Sequence, residues 1–487
     1  MQLVISMPQL LLMLATIFLV IGGGIYAARA VDSAEGYTLG GRTAGTPMIA
    51  GSLAGTMVGG GATIGTAQLA SSVGLSAWWF TLGSGIAFLI MGLFYAQPLR
   101  ATSLETIPQY LSLHYGKSVG AAATIVASLG IFFSTVSSIL PGMKMISAIF
   151  GTPAAISAVL LILLVCAYIF FGGMKSAGVG GMLKMVIIWV TMVLAGGSLF
   201  FTMRNDPQFV AALPSFPWYS LFGRGVSAAL SNLLSLIVGV LCTQTYIQCL
   251  FSADSPKTAM YGSFAGALVT IPVGLPCALI GMYMHVAHPE VPAMLVLPAF
   301  LLTEQPILIG SLAMGGIVLS LIGSIGGLGL GISTMVSKDL ITPLCHISDG
   351  KTQLKLTRSI VLVILFIGCA FAIAHQDSEI LFWNFLSMAL RGAGVFLPLT
   401  LAIFAPRFVN GKWVLASVIF SSLAAIASVL TGTGIKPVFL GVAVSALILI
   451  VGHFAGTEPP ALDENPLLEE WTDEHGVMTE QKKKFKD

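Results

Sequence analysis

Between residues 7 and 455 the chain alternates long apolar runs with short polar connectors. The first run, Met7 to Ala28, holds 22 residues without a charge, enough helix to cross a hydrocarbon core of about 30 Å. No Lys or Arg precedes Arg29, so the run reads as a first transmembrane helix and not as a cleaved signal. By the same length criterion further spans are predicted at 47–71, 76–98, 118–148, 153–172, 176–203, 222–250, 258–284, 306–337, 354–375, 380–403, 411–433 and 435–455. The expected architecture is an all-α polytopic membrane protein with about thirteen transmembrane helices. Between these spans, Thr106-Ile107-Pro108-Gln109-Tyr110-Leu111 has proline near its start and predicts a short interfacial helix.

Charge sharpens this picture. Only 9% of the 487 residues are charged and 56% are hydrophobic, against roughly a quarter charged in soluble domains. Residues 456–487 carry nine of the 20 acids and four of the 22 bases, so this charged segment is expected as a cytoplasmic tail. With the N-terminus outside, inner segments receive sixteen Lys and Arg, while outer loops receive three, Arg204, Arg224 and Lys436. That asymmetry places the C-terminus inside. The expected location is the plasma membrane, or the cytoplasmic membrane of a bacterium. Surrounding lipid is the implied partner, with no nucleic acid and no obligate protein partner. The six cysteines stand singly without a CxxC pair, which gives no disulfide framework or zinc site.

Candidate chemistry lies in two glycine-rich stretches. The second span contains Gly55-Thr56-Met57-Val58-Gly59-Gly60-Gly61-Ala62-Thr63, and successive glycines each cost a helix up to about 1 kcal/mol. A broken helix at membrane depth frees carbonyls for a cation and presents half-helix N-termini to a substrate. Close helix packing is the alternative use of such small residues. In the second stretch, Ser320 and Ser324 are four apart, so their hydroxyls share one helix face. They are placed either to complete an ion site or to bond their own backbone.

These residues resemble the sodium:solute symporter family, whose fold is the LeuT-type five-plus-five inverted repeat. The likeness is carried by Gly40-Gly41-Arg42, Gly59-Gly60-Gly61, Leu99-Arg100 followed by Thr106 to Leu111, and Gly172-Gly173-Met174. It continues in Gln248-Cys249-Leu250-Phe251-Ser252-Ala253-Asp254, with cysteine where arginine is usual, and in Ser333 to Asp339. The resemblance implies an extra helix at 1–30, a first repeat at 47–203, a second at 222–403, two further helices at 411–455 and the tail at 456–487. It implies a sodium site, the one metal site expected, formed by carbonyls of Gly55, Val58 and Ser320 with the hydroxyl of Ser324. The second hydroxyl position is Gly323. It also implies a substrate site around Gly59, Gly60, Gly61, Ala62 and Thr63 and, at an expected break in the sixth core helix, Ser235 and Gly239.

Two cations complicate that site. Where the family usually has a threonine–aspartate pair and then a glutamine, this chain has Gly180, Gly181 and Lys184. An intramembrane lysine is a functional candidate by default: its ammonium either replaces sodium or titrates to couple a proton. The competing expectation is that it snorkels to an interface. Arg391 stands at the start of Arg391-Gly392-Ala393-Gly394, where the tenth core helix is expected to be glycine-broken, and is added to the substrate site. With no acid inside the predicted spans, the two cations point to a carboxylate-bearing solute, such as an amino acid. The absence of Asn, Gln, Glu and aromatics around Ser235–Val240 disfavours a sugar. A secondary transporter, a solute:cation symporter with sodium or a proton as coupling ion, is therefore expected. No filter ring marks a channel, no soluble domain marks a sensor, and no intramembrane catalytic cluster marks an enzyme.

Overall fold

The computed structural model describes residues 3–27, 33–102, 104–169, 173–197, 199–431 and 434–455. The tail at 456–487 and Gly172 lie outside them. The principal helices are α1 (Met7–Ala27), α2 (Thr46–Met57), α3 (Thr66–Val73), α4 (Trp79–Ile90), α5 (Ile107–Tyr115), α6 (Lys117–Phe150), α7 (Ala154–Ile169) and α8 (Gly173–Gly196). They continue as α9 (Val226–Leu241), α10 (Gln244–Phe251), α11 (Pro256–Ala287), α12 (Ile307–Met335), α13 (Gly350–Ala374), α14 (Ile380–Phe404), α15 (Gly411–Leu430) and α16 (Pro437–Ala455).

Ten helices among the described residues are long and apolar enough to cross a membrane, or eleven if the bent pair α9 and α10 is one span. Thirteen exceeds that count at two places. The segment 47–71 is divided between α2 and α3, and α7 has only 16 residues. Neither is a single continuous helix of spanning length.

Glycine decides how the centre packs. α2 runs against α8, α11 and α12, and a Cβ at Gly51 or Gly55 would lie 2.3 Å from Met182 Cγ or 2.8 Å from Gly181 Cα. Backbones that approach this closely need small residues on both sides. α14 packs chiefly on α6, α9 and α16. It runs unbroken through Arg391–Gly394, which corrects the expected interruption. Gly392 and Gly394 admit Val238 and Ser422 instead, each 2.5 Å from where a Cβ would stand.

One end of the molecule is tied together by polar contacts. Ala44 and Ala253 form a parallel bridge, with Ala44 N donating to Ser252 O at 3.0 Å and Asp254 N to Ala44 O at 3.1 Å. The helix expected at Thr106–Leu111 is α5. Thr106 accepts from Gln109 N at its start, and Gln109 caps the Thr106 N–H in return, with Pro108 in the first turn. Gln244 holds α5 by accepting from Ile107 N and donating to Glu105 O, at 2.9 and 2.8 Å. Lys338 pairs with Glu105 at 2.6 Å, and Thr106 donates to Asp339 Oδ1 at 3.0 Å.

Candidate functional site

Two helices break near the centre. α2 ends at Met57, Val58 leaves helical geometry (φ −79°, ψ 76°), and a π-turn over Gly61–Gly65 leads into α3. The break falls at 58–60, where the triple glycine predicts it. α9 ends at Leu241 and α10 starts at Gln244, bent by 46°. That break lies three residues beyond Gly239, near which the sequence places it, while Gly239 itself stays helical. Gly239 instead makes room for α14, since its Cβ would lie 2.4 Å from Met388 Cβ.

The α2 break gathers most of the predicted cation-site residues. Ser320 Oγ donates to Val58 O in a short hydrogen bond, and Ser324 Oγ donates to Thr56 O at 2.5 Å. Thr63 Oγ1 donates to Gly59 O at 3.0 Å. The freed carbonyls are therefore satisfied by hydroxyls. Lys184 is 1% exposed, so it does not snorkel. Its Nζ donates to Ser320 O at 3.2 Å. A Cβ at Gly323 would lie 2.7 Å from that Nζ, and one at Gly55 would lie 3.4 Å from Lys184 Cε. The ammonium thus sits against the Ser320 carbonyl, with glycines on both sides making the space. Among the described residues, the hydrogen bonds of Lys184, Ser320 and Ser324 reach the carbonyls of Ser320, Val58 and Thr56 but not that of Gly55.

Arg391 is fully buried and sits between α6, α9 and α14. Its Nε donates to Gly239 O at 3.1 Å, and Nη1 donates to Ser134 Oγ and Ser387 Oγ at 3.2 and 2.7 Å. Among the described residues Nη2 meets only the Met388 thioether, at 2.7 Å. The contact with Gly239 puts a cation at the carbonyl end of α9, where the helix dipole favours it. Among the described residues neither Lys184 nor Arg391 makes an ion pair. Lys144, by contrast, pairs with Asp377 at 2.9 Å.

A cleft of about 10 Å³, the space of one water, opens beside the α2 break. Gly59, Gly61, Phe80, Tyr246, Asn384 and Met388 line it. Of the predicted substrate residues it collects Gly59 and Gly61. Gly60 packs on Pro141 and Leu321, and Ala62 and Thr63 are buried in the π-turn. Arg391 stands behind the lining residues Ser134 and Met388. Ser235 belongs instead to a vestibule of about 180 Å³, shared with Arg224, Asn232, Glu379, Phe385 and Lys436. The partition includes Phe80, facing the cleft, packed edge-to-face on Phe385, facing the vestibule, with centroids 5.8 Å apart.

The sequence reading missed Phe80, Tyr246, Asn384 and Met388. Tyr246 lies just beyond the true break, outside the Ser235–Val240 window. Asn384 carried a usable signal, a polar amide inside a predicted span.

A model of the sodium:solute symporter family matches residues 37–421. The chain belongs to that family. The family is one of transporters, not enzymes, and this member is a multi-pass membrane protein. Sodium, expected as a bound cofactor, is a co-substrate of this sodium-coupled family. The chain is 27% identical over 274 residues to the human high affinity choline transporter 1, covering 53% of this chain and 47% of that protein. It thus spans about half the length of the choline transporters it matches. It is 24% identical over 416 residues to the sodium/proline symporter of Staphylococcus aureus, covering 81% and 80% of the two chains. The solved structure of a Na+-coupled sialic acid symporter superposes with a TM-score of 0.78 at 18% identity, covering 92% of this chain and 97% of that one. At that identity the match shows the fold, and the expected LeuT-type fold holds.

Proposed function

We propose that this family member is a secondary transporter that carries a small organic solute by alternating access around the cleft between α2, α6, α10 and α14. In this reading residues 47–203 and 222–403 are the two inverted repeats, α1, α15 and α16 are additions, and the vestibule opens outside. The observation that carries it is the break at Val58–Gly60 lying against the Asn384 amide: a Cβ at Gly61 would stand 2.4 Å from Asn384 Nδ2. Broken helices facing a central cleft are the physical device of alternating-access carriers. The named relatives carry choline and proline, both small organic solutes.

A second reading concerns coupling, and a specific contact favours it. Lys184 Nζ already holds the Ser320 carbonyl, one of the oxygens expected to bind sodium. A sodium ion 4 Å from a protonated ammonium would be repelled by about 4 kcal/mol at an effective dielectric of 20, near a thousandfold in affinity. Uptake by the unmodified chain is then independent of a sodium gradient, with the lysine standing in place of the ion.

Reconstituted full-length protein tests both readings. Uptake of a solute panel, including proline, choline and short carboxylates, is compared under separate sodium and proton gradients. Solute uptake without sodium stimulation, and sodium stimulation gained in Lys184→Gln, is the expected result. Strong sodium dependence in the unmodified protein, unchanged by Lys184→Gln, would refute the second reading and leave the first.

A further inference from the structure

Resting on the transporter reading, we infer that the solute is a small monocarboxylate without an ammonium group, its carboxylate held between Arg391 Nη2 and Asn384 Nδ2. Asn384, Met388 and Arg391 follow one another at spacings of four and three, so they share one face of α14. Asn384 is 6% exposed, its Nδ2 has no acceptor among the described residues, and it lines the cleft. Arg391 is held in place by Gly239, Ser134 and Ser387 through its other nitrogens. Its Nη2 has only a thioether, a weak acceptor.

Two donors on one helix face thus lack an oxygen acceptor. A carboxylate supplies two acceptor oxygens, and charge-assisted bonds to arginine are strong ones. Met388, between them, is unbranched and flexible enough to swing aside.

The charge of the site rejects the relatives' kinds of solute. A buried cation is costly unless compensated, and Lys184 and Arg391 have no acid partner among the described residues. A quaternary ammonium would add a third positive charge. An amino acid brings a carboxylate but also an ammonium, which needs acceptors. The carbonyls at the helix break, Thr56 O, Val58 O and Gly59 O, already accept from Ser324, Ser320 and Thr63. Phe80, Tyr246 and Met57 supply apolar walls for a short aliphatic tail. The vestibule adds Arg224 and Lys436 against one Glu379, and positive charge there raises the local concentration of anions. Ser231 and Ser235, on the vestibule side, and Gly239, bound by Arg391, are spaced by four along α9. They share one face of α9, running from the vestibule wall toward the guanidinium.

The test is uptake into proteoliposomes containing the full chain, with labelled propionate and pyruvate as probes and acetate, proline and choline as competitors. Propionate or pyruvate is expected to be carried, with inhibition by acetate and none by proline or choline. Asn384→Asp keeps the side-chain size but sets a carboxylate against the solute, and is expected to weaken uptake at least tenfold without lowering Tm. Met388→Leu removes the thioether from Nη2 and is expected to lower the KM for propionate several-fold with kcat little changed, which a merely structural residue would not do. Uptake of proline or choline without inhibition by any carboxylate would overturn the inference and leave the transporter reading standing. If none of these solutes moves and none changes the thiol labelling of a Ser235→Cys variant, both readings fall.

Discussion

A lysine in a membrane interior needs room as well as partners, and Gly323 supplies the room. With a Cβ there only 2.7 Å from Lys184 Nζ, a side chain at 323 requires the buried ammonium to shift from its place against the Ser320 carbonyl. Gly323→Ser alone is therefore expected to destabilise by about 1–3 kcal/mol, the usual cost of overpacking, read as a fall in Tm. Combined with Lys184→Gln the loss should be smaller than the sum, because the two changes share one contact. The double variant also regains a hydroxyl at the expected cation site, so added sodium should raise its Tm and leave that of the unmodified protein unmoved. Additive losses, and no sodium shift in the double variant, would show that the two residues do not answer each other. The lysine was legible in the sequence because a charge inside an apolar run is conspicuous. Its partner was not, since a glycine does not announce which neighbour it accommodates. Asn384 shows the opposite failure: the signal was present, but its spatial neighbours Gly59 and Gly61 lie more than 300 positions away.

Elements were read well where several local signals agreed. The break in α2 follows from three successive glycines, and α5 follows from threonine, proline and glutamine at capping positions. Single glycines misled. Gly392 and Gly394 read as a break but lie inside a continuous helix, where they admit Val238 and Ser422. Which use a glycine serves depends on the helix opposite, and local sequence does not contain that information. α5 also carries a testable pH response. His114 stacks on Tyr110 with ring centroids 4.5 Å apart, and its Nδ1 meets Tyr110 O at 2.9 Å while its Nε2 is buried without a partner. Burial holds the imidazole pKa below its ordinary 6.5, the backbone contact opposing this only in part. The folded state thus prefers neutral histidine. Its contribution is complete above the ordinary pKa and is lost as pH falls below about 6.5. Thermal unfolding at pH 7.5 and pH 5 should show a drop in Tm on acidification that is smaller in His114→Gln. An equal drop in both proteins would assign the acid sensitivity elsewhere.

At the scale of the whole molecule, the two ends of the cleft are closed by different chemistry. One end is tied by the Ala44–Ala253 bridge, the Lys338–Glu105 pair and the Gln244 contacts to α5. The other has an open vestibule separated from the cleft at the Phe80–Phe385 contact. Edge-to-face aromatic pairs contribute about 0.5–1.5 kcal/mol beyond their buried area, whereas a network of partly buried polar contacts resists opening as a unit. The aromatic contact is therefore the weaker barrier, and the vestibule side should open first. Phe385→Ala removes one ring and should join vestibule to cleft. The readout is a Ser138→Cys reporter, at a residue that lines the cleft, in a chain whose six native cysteines have been replaced. A membrane-impermeant thiol reagent supplied from the vestibule side should label it at least tenfold faster once Phe385 is alanine. Lys338→Met, which breaks the pair at the opposite end, should speed labelling only from that opposite side. If Phe385→Ala leaves the rate unchanged while Lys338→Met raises it from the vestibule side, the aromatic pair is not the gate between vestibule and cleft.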